Sequence, residues 1–242
     1  MSEITNSLGL ADAHGEQVAA RSTVYVYEAP VRLWHWINAV AIVVLALSGY
    51  FIGSPLPSVP GEASEHFLMG YIRFAHFSAG YILAVGFAMR IYWAFVGNVH
   101  ARQIFYVPFW RQGWFQEVLH EIKWYSFLVD KPKKYIGHNP LAQIAMFFMF
   151  TLTVTFMIIT GFALYSEGAG IDSWQAAVFG WVFNFFPNSQ DVHTYHHLGM
   201  WVLIVFLIMH IYAAIREDIM SRQSIISSMI SGERQFRDDQ GA

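Results

Sequence analysis

Four of the eleven histidines in this 242-residue chain stand at spacings that suit metal-centred chemistry. His196 and His210 lie fourteen residues apart in a stretch with no Asp, Glu, Lys or Arg between His193 and Arg216. Fourteen residues rise roughly 21 Å along an α-helix, and at ~100° per residue they return to within about 40° of the starting direction. Both imidazoles therefore share one helix face, near opposite surfaces of a hydrocarbon core about 30 Å thick. Ionisable groups inside a bilayer are costly and point to function, and imidazole serves metal ligation or proton transfer. His193 and His197 flank His196 and are alternatives by position, but only His196 makes the fourteen-residue step to His210.

The other two histidines stand in arginine-bearing stretches, Arg32-Leu33-Trp34-His35-Trp36 and Arg73-Phe74-Ala75-His76. Each arginine precedes its histidine by three residues, on the same helix face. Arg90 follows His76 by fourteen residues, repeating the step. A guanidinium beside a bound anion would neutralise charge in a low-dielectric site. Arg32 and Arg73 also suit snorkelling to the interface, which leaves Arg90 as the better candidate. Gly137, His138 and Asn139 precede Pro140; they could donate hydrogen bonds to a ligand's carbonyl oxygens, or form a helix-capping turn. His66, His100 and His120 read as solvated or structural.

Positioning these groups requires several membrane spans. The chain is 55% hydrophobic and 13% charged, against about 25% charged in a soluble domain. The expected spans are about residues 31–52, 72–96, 141–164 and 196–215, with 1–30 as a loose tail and 217–242 as an amphipathic tail ending at Gly232. A short extended piece is expected where Tyr25 and Tyr27 alternate with valines. An amphipathic surface helix is expected over Trp114–Val129. No leader peptide is apparent in the first thirty residues. The fold class is thus an all-α membrane protein, a four-transmembrane-helix bundle forming one domain over residues 1–242.

Of fourteen Lys and Arg, two fall before or at the start of span one, six in the 97–140 connection and four after span four. The loops 53–70 and 165–192 have none. The positive-inside rule then places both termini and the long connection in the cytoplasm. His35 and His210 fall at the inner level, His76 and His196 at the outer. Two imidazoles at one depth in a helix bundle are what a six-coordinate b-type haem requires. The absence of cysteine excludes thiolate-bound clusters, covalent haem attachment and disulfides. Scattered basic residues and a net charge of -3 argue against nucleic acid as a partner.

Two stretches carry a resemblance: Arg32-Leu33-Trp34-His35-Trp36-Ile37 running on to Leu47-Ser48-Gly49, and Tyr195-His196-His197-Leu198 with Trp201, Phe206 and His210. In these the chain resembles the b-type cytochrome subunit of membrane-bound uptake nickel–iron hydrogenases, a four-span dihaem family related to formate dehydrogenase gamma subunits. Ser48 departs from the threonine expected before the glycine. The resemblance implies two haems b, one between His76 and His196, the other between His35 and His210. It also implies a periplasmic partner, with an iron–sulfur small subunit and a nickel–iron large subunit. Electrons would pass from it through the bacterial inner membrane to a quinone. The quinone would lie near Gly137, His138 and Asn139, and the apolar stretch Trp174–Phe186 would dock the partner. The hydrogen-activating site would lie on the partner, not on this chain.

The related reading is an equivalent subunit of a formate dehydrogenase or thiosulfate reductase. A membrane di-iron oxygenase would use His193-Thr194-Tyr195-His196-His197 as a ligand box, but such enzymes need several boxes and no second one is present. A non-catalytic anchor is the remaining reading.

Overall fold

The computed structural model describes residues 21–57, 59–62, 64–221 and 224–237. The expected tail over residues 1–20 lies outside them. The first described element is a strand, β1 (Arg21–Tyr25), so the extended piece expected near Tyr25 is present slightly earlier in the chain. Two long helices follow, α1 (Ala29–Gly53) and α2 (Leu68–Val96). Pro30 enters α1 in its first turn, where its missing N–H has no intrahelical acceptor.

A 3-10 turn (Gln103–Phe105) and a short helix, α3 (Trp114–Tyr125), cross the long connection. The third span runs over Pro140–Ala169 as α4 (Pro140–Ala145), a π-helical turn (Met146–Leu152) and α5 (Thr153–Ala169). Two short helices, α6 (Trp174–Phe179) and α7 (Val182–Phe185), lead into α8 (Ser189–Met220). The chain then forms α9 (Ile225–Ser231) and β2 (Glu233–Arg237).

Among the described residues, four helices are long and apolar enough to cross a membrane. Their outward faces expose residues such as Val40, Phe74, Phe95 and Ile208, as a chain solvated by lipid requires. The bundle's inner face packs Leu83, Phe87, Phe150, Val154, Leu203 and Phe206 into one buried cluster.

Several boundaries differ from those expected; α8 begins at Ser189 rather than 196, and the third span runs to Ala169 rather than 164. Helix α3 ends at Tyr125 rather than Val129. Arg216 Nη2 donates to the Trp124 carbonyl at 2.6 Å, and the chain turns through Phe127 at φ 59°. The Arg216 guanidinium lies over the rings of Trp124, Tyr125 and Phe127, 4.4–4.9 Å from their centroids. For the same reason α8 continues past the expected end at residue 215. Arg216 and Glu217 are buried against α3, with Trp124 Nε1 donating to Glu217 Oε1 at 2.7 Å. Among the described residues of the expected amphipathic tail, the end of α8 is followed by α9 and β2. Gly232 (φ +88°) ends α9 and releases the chain into β2.

β2 pairs antiparallel with β1, Arg21 opposite Arg237 and Tyr25 opposite Glu233. This ribbon brings both ends of the described chain to one end of the bundle. Arg32 Nη1 donates to the Ile230 carbonyl, and Trp36 Nε1 to that of Met229 at 3.0 Å. Glu28 Oε2 accepts from Trp93 Nε1 and the Asn98 amide, both at 2.9 Å. The start of α1 and the ends of α9 and α2 are thus tied together beneath the ribbon.

Candidate functional site

The helices bring the four histidines together as two pairs. At the ribbon side, His35 from the first turns of α1 meets His210 from the last turns of α8, with ring centroids 6.2 Å apart and planes at 48°. At the far side, His76 from α2 meets His196 from α8, with centroids 6.5 Å apart and planes at 67°. Of the three neighbouring histidines on α8, His196 is the one that faces His76. His193 turns its Nδ1 to its own helix carbonyl at Ser189, and His197 packs edge-on against Trp201.

The two far-side rings are oriented by hydroxyls. Ser48 Oγ lies 2.9 Å from His76 Nδ1, and Thr160 Oγ1 lies 2.8 Å from His196 Nδ1. Each hydroxyl has one proton, and each gives it to the carbonyl four residues back, Val44 or Phe156. Each oxygen is thus left to accept from its imidazole. His76 and His196 then carry their proton on Nδ1 and present Nε2 as a lone pair.

A cavity of about 900 Å³ opens beside this pair, lined by Arg73, Gly49, Gly80, Gly161 and Leu203 among others. A Cβ on Gly49 would come within 3.2 Å of His76 Cε1, and one on Gly161 within 3.2 Å of His196 Cε1. The glycines leave room for the rings.

At the ribbon-side pair, Phe206 stacks on His210 at 5.5 Å and 23°. His35 Nδ1 is buried with no hydrogen-bond partner. Arg90 is 3% exposed; its guanidinium lies 5.3 Å from the Trp34 ring and 5.4 Å from that of Phe105. Its Nε and Nη1 are buried without partners. A buried cation with unused donors is costly unless an anion completes it.

Among the described residues, no three His, Asp or Glu side chains gather closely enough to hold an ion by themselves. A metal at either histidine pair would therefore need a further ligand to fill its remaining coordination positions, as a porphyrin does. A first-row metal sits about 2 Å from an imidazole nitrogen, and the ring centre about 1.1 Å beyond it, so two imidazoles sharing one metal could hold their centroids up to about 6.2 Å apart. The observed 6.2 Å and 6.5 Å lie close to that value. The residues would fit haem iron held between two histidines; Arg90 lies buried by the ribbon-side pair and Arg73 lines the cavity beside the far-side pair.

Comparison with known proteins agrees with this geometry. The family model described as prokaryotic cytochrome b561 matches residues 26–232. The chain belongs to that family. It is 73% identical over 228 residues to a probable Ni/Fe-hydrogenase B-type cytochrome subunit of Rhizobium leguminosarum bv. viciae, covering 94% of this chain and 95% of that protein. Against the protein so named from Azotobacter vinelandii it is 62% identical over 224 residues, 93% of each. A probable Ni/Fe-hydrogenase 1 B-type cytochrome subunit of Escherichia coli (strain K12) is 54% identical over 220 residues, 88% of this chain and 91% of that protein. Members of a b-type cytochrome family hold haem b.

The remaining candidates are placed as follows. Arg32 is engaged with the Ile230 carbonyl. Asn139 caps α4, its Oδ1 accepting from the Ala142 amide at 2.7 Å. Gly137 adopts φ +88° and its carbonyl accepts from Arg234 Nη1 at 2.6 Å. Gln103 Oε1 accepts from the His138 amide at 3.1 Å and lies 3.2 Å from His138 Nδ1. His138 packs edge-on against Tyr27, and burial, then repulsion from His210, Arg234, Arg90 and His100, lowers its pKa to about 3. It is therefore neutral, with its proton on Nδ1 and Nε2 left as an acceptor. Nε2 could accept from a ligand's hydroxyl, whereas the sequence reading has His138 donate to a carbonyl oxygen. Ser48 and Thr160 are the site residues that spacing alone misses.

Proposed function

We propose that this chain carries electrons across the bacterial inner membrane from a periplasmic nickel–iron hydrogenase to a membrane quinone, and anchors that enzyme there. The observation that carries the reading is the stacking of two histidine pairs on one helix, fourteen residues apart, each pair spaced for a bis-imidazole iron. Two haems b would be held, one by His76 and His196 and the other by His35 and His210. Bound there, they would supply reversible one-electron chemistry at two depths. The protein's part is to hold the ligands, neutralise propionates with Arg90 and Arg73, and keep water out with the packed Phe87, Phe150 and Phe206 between the levels.

The distribution of Lys and Arg supports an orientation with the ribbon in the cytoplasm. Electrons then enter at the far-side pair, where the hydrogenase small subunit would dock near exposed Trp174, Trp181 and Phe185. Moving inward they work against the membrane potential, at about 2.3 kcal/mol per charge per 100 mV. The quinone would be reduced beside the ribbon-side pair, taking two electrons and two cytoplasmic protons. His138 Nε2 would accept a hydrogen bond from the quinol hydroxyl. The relatives' names favour hydrogenase over formate dehydrogenase or thiosulfate reductase as the partner.

The test is a redox-resolved visible spectrum of the purified chain with haem quantification, followed by hydrogen-to-quinone electron transfer in the assembled complex. Two low-spin bis-histidine centres per chain are expected. Iron without a Soret band would favour the di-iron reading, and undiminished electron flow after replacement of His210 would favour a bare anchor.

A further inference from the structure

We infer that Ser48 and Thr160 are positioning residues that lock the imidazoles of His76 and His196 in the Nδ1–H tautomer and lower the reduction potential of the centre they ligate. The inference rests on the haem reading proposed above. Two helices contribute one hydroxyl each, and the two make the same pattern. Ser48 on α1 takes Nδ1–H of His76 from α2 at 2.9 Å, and Thr160 on α5 takes Nδ1–H of His196 from α8 at 2.8 Å. Both hydroxyl protons are committed to their own helix carbonyls, so neither hydroxyl can reverse its role. Both residues are buried, with Ser48 7% and Thr160 3% exposed. The glycine after each, Gly49 and Gly161, gives the ring the space to lie against the hydroxyl's helix.

A hydrogen bond accepted from the far nitrogen of a metal-bound histidine raises the basicity of the ligating one. A more basic ligand favours the oxidised, more positive iron, so the potential falls. His35 at the other level has a buried Nδ1 with no such partner. The far-side centre is therefore held low relative to the ribbon-side centre, which favours electron movement toward the ribbon.

The experiment is a spectroscopic redox titration of the purified full chain with a haem count, on wild type, Ser48→Ala, Thr160→Val and the hydroxyl-retaining Ser48→Thr and Thr160→Ser. Expected is an upward shift of one of the two midpoint potentials in Ser48→Ala and Thr160→Val. The other potential should stay fixed, and both hydroxyl-retaining variants should return to the wild-type value. Loss of one haem in Ser48→Ala but not in Ser48→Thr also supports the inference. It is overturned if both potentials stay put while both haems remain, or if Ser48→Ala and Ser48→Thr change alike. A wild-type chain that carries no haem would overturn the proposed function instead, and the haem count reports that separately.

Discussion

His35 and His210 come from the first and last spanning helices and hold their ring centroids 6.2 Å apart. Nothing in the local chain enforces this approach. It is set by the packing of α1 on α8 and by the ribbon that joins the two ends beneath them. A ligand pair assembled this way exists only when the whole bundle is closed.

Replacing His210 with Ala should therefore remove one haem of two and leave the other spectrally intact. Hydrogen-to-quinone electron transfer should fall to background, while the partner's reduction of a soluble dye persists. A pyridine haemochrome count and the two activities check this. An unchanged count would exclude His210 as a ligand.

Gly161→Leu should empty the far-side level selectively. Even a Cβ would stand 3.2 Å from His196 Cε1, and a leucine would fill the space beside that ring. Within a helix, leucine is favoured over glycine by up to about 1 kcal/mol, so the span itself should form. One haem per chain, with normal membrane insertion, is the expected outcome.

The two roles within Gly137-His138-Asn139 should separate on mutation. Asn139→Ala removes the cap of α4 and should cost about 1 kcal/mol of stability, read as a lower melting temperature. His138→Ala should slow quinone reduction, with both haem spectra unchanged. Loss of a haem in His138→Ala would remove it from the quinone role.

Glu121 should make the docking of α3 pH-dependent. It is 2% exposed, and burial first, then the Glu217 carboxylate, pushes its pKa from 4.5 to about 7. Tyr135, Lys133 and Glu117 also act on it. Between those two values the folded state binds the proton and the unfolded state does not. Stability is therefore greatest below pH 4.5 as far as this group is concerned, and is lost as pH rises toward 7. At ~1.4 kcal/mol per unit the loss is at most about 3 kcal/mol. Hydrogen exchange across α3 should speed up over that range, and Glu121→Gln should abolish the dependence.

The histidine pairs are legible in the sequence because the step that sets their two depths lies along single helices, α8 and α2. The step from His196 to His210, and its echo from His76 to Arg90, is a periodicity that survives folding. The hydroxyl partners were not legible. Ser48 and Thr160 stand 28 and 36 residues from the rings they hold, and a serine or threonine in an apolar helix ordinarily bonds only its own backbone. Arg216 was misjudged for a similar reason. A charge after an apolar run marks the end of a span by composition, whereas three aromatic rings and a carbonyl make it a buried group. The pairing of β1 with β2 is not legible because its halves are separated by nearly the whole chain, although an extended piece near Tyr25 is expected from the alternation there.

The π-turn at Met146–Leu152 acts as a phase shifter for the third span. Such a turn accommodates one residue more than an α-helical turn, and each residue is worth about 100° of rotation. Thr151, inside it, points to the Ile104 carbonyl at 2.8 Å, while Thr160, beyond it, points to His196. Excising one residue from the turn would straighten the helix and swing Thr160 and Gly161 away from the ring they serve, although no residue touching that ring had been altered.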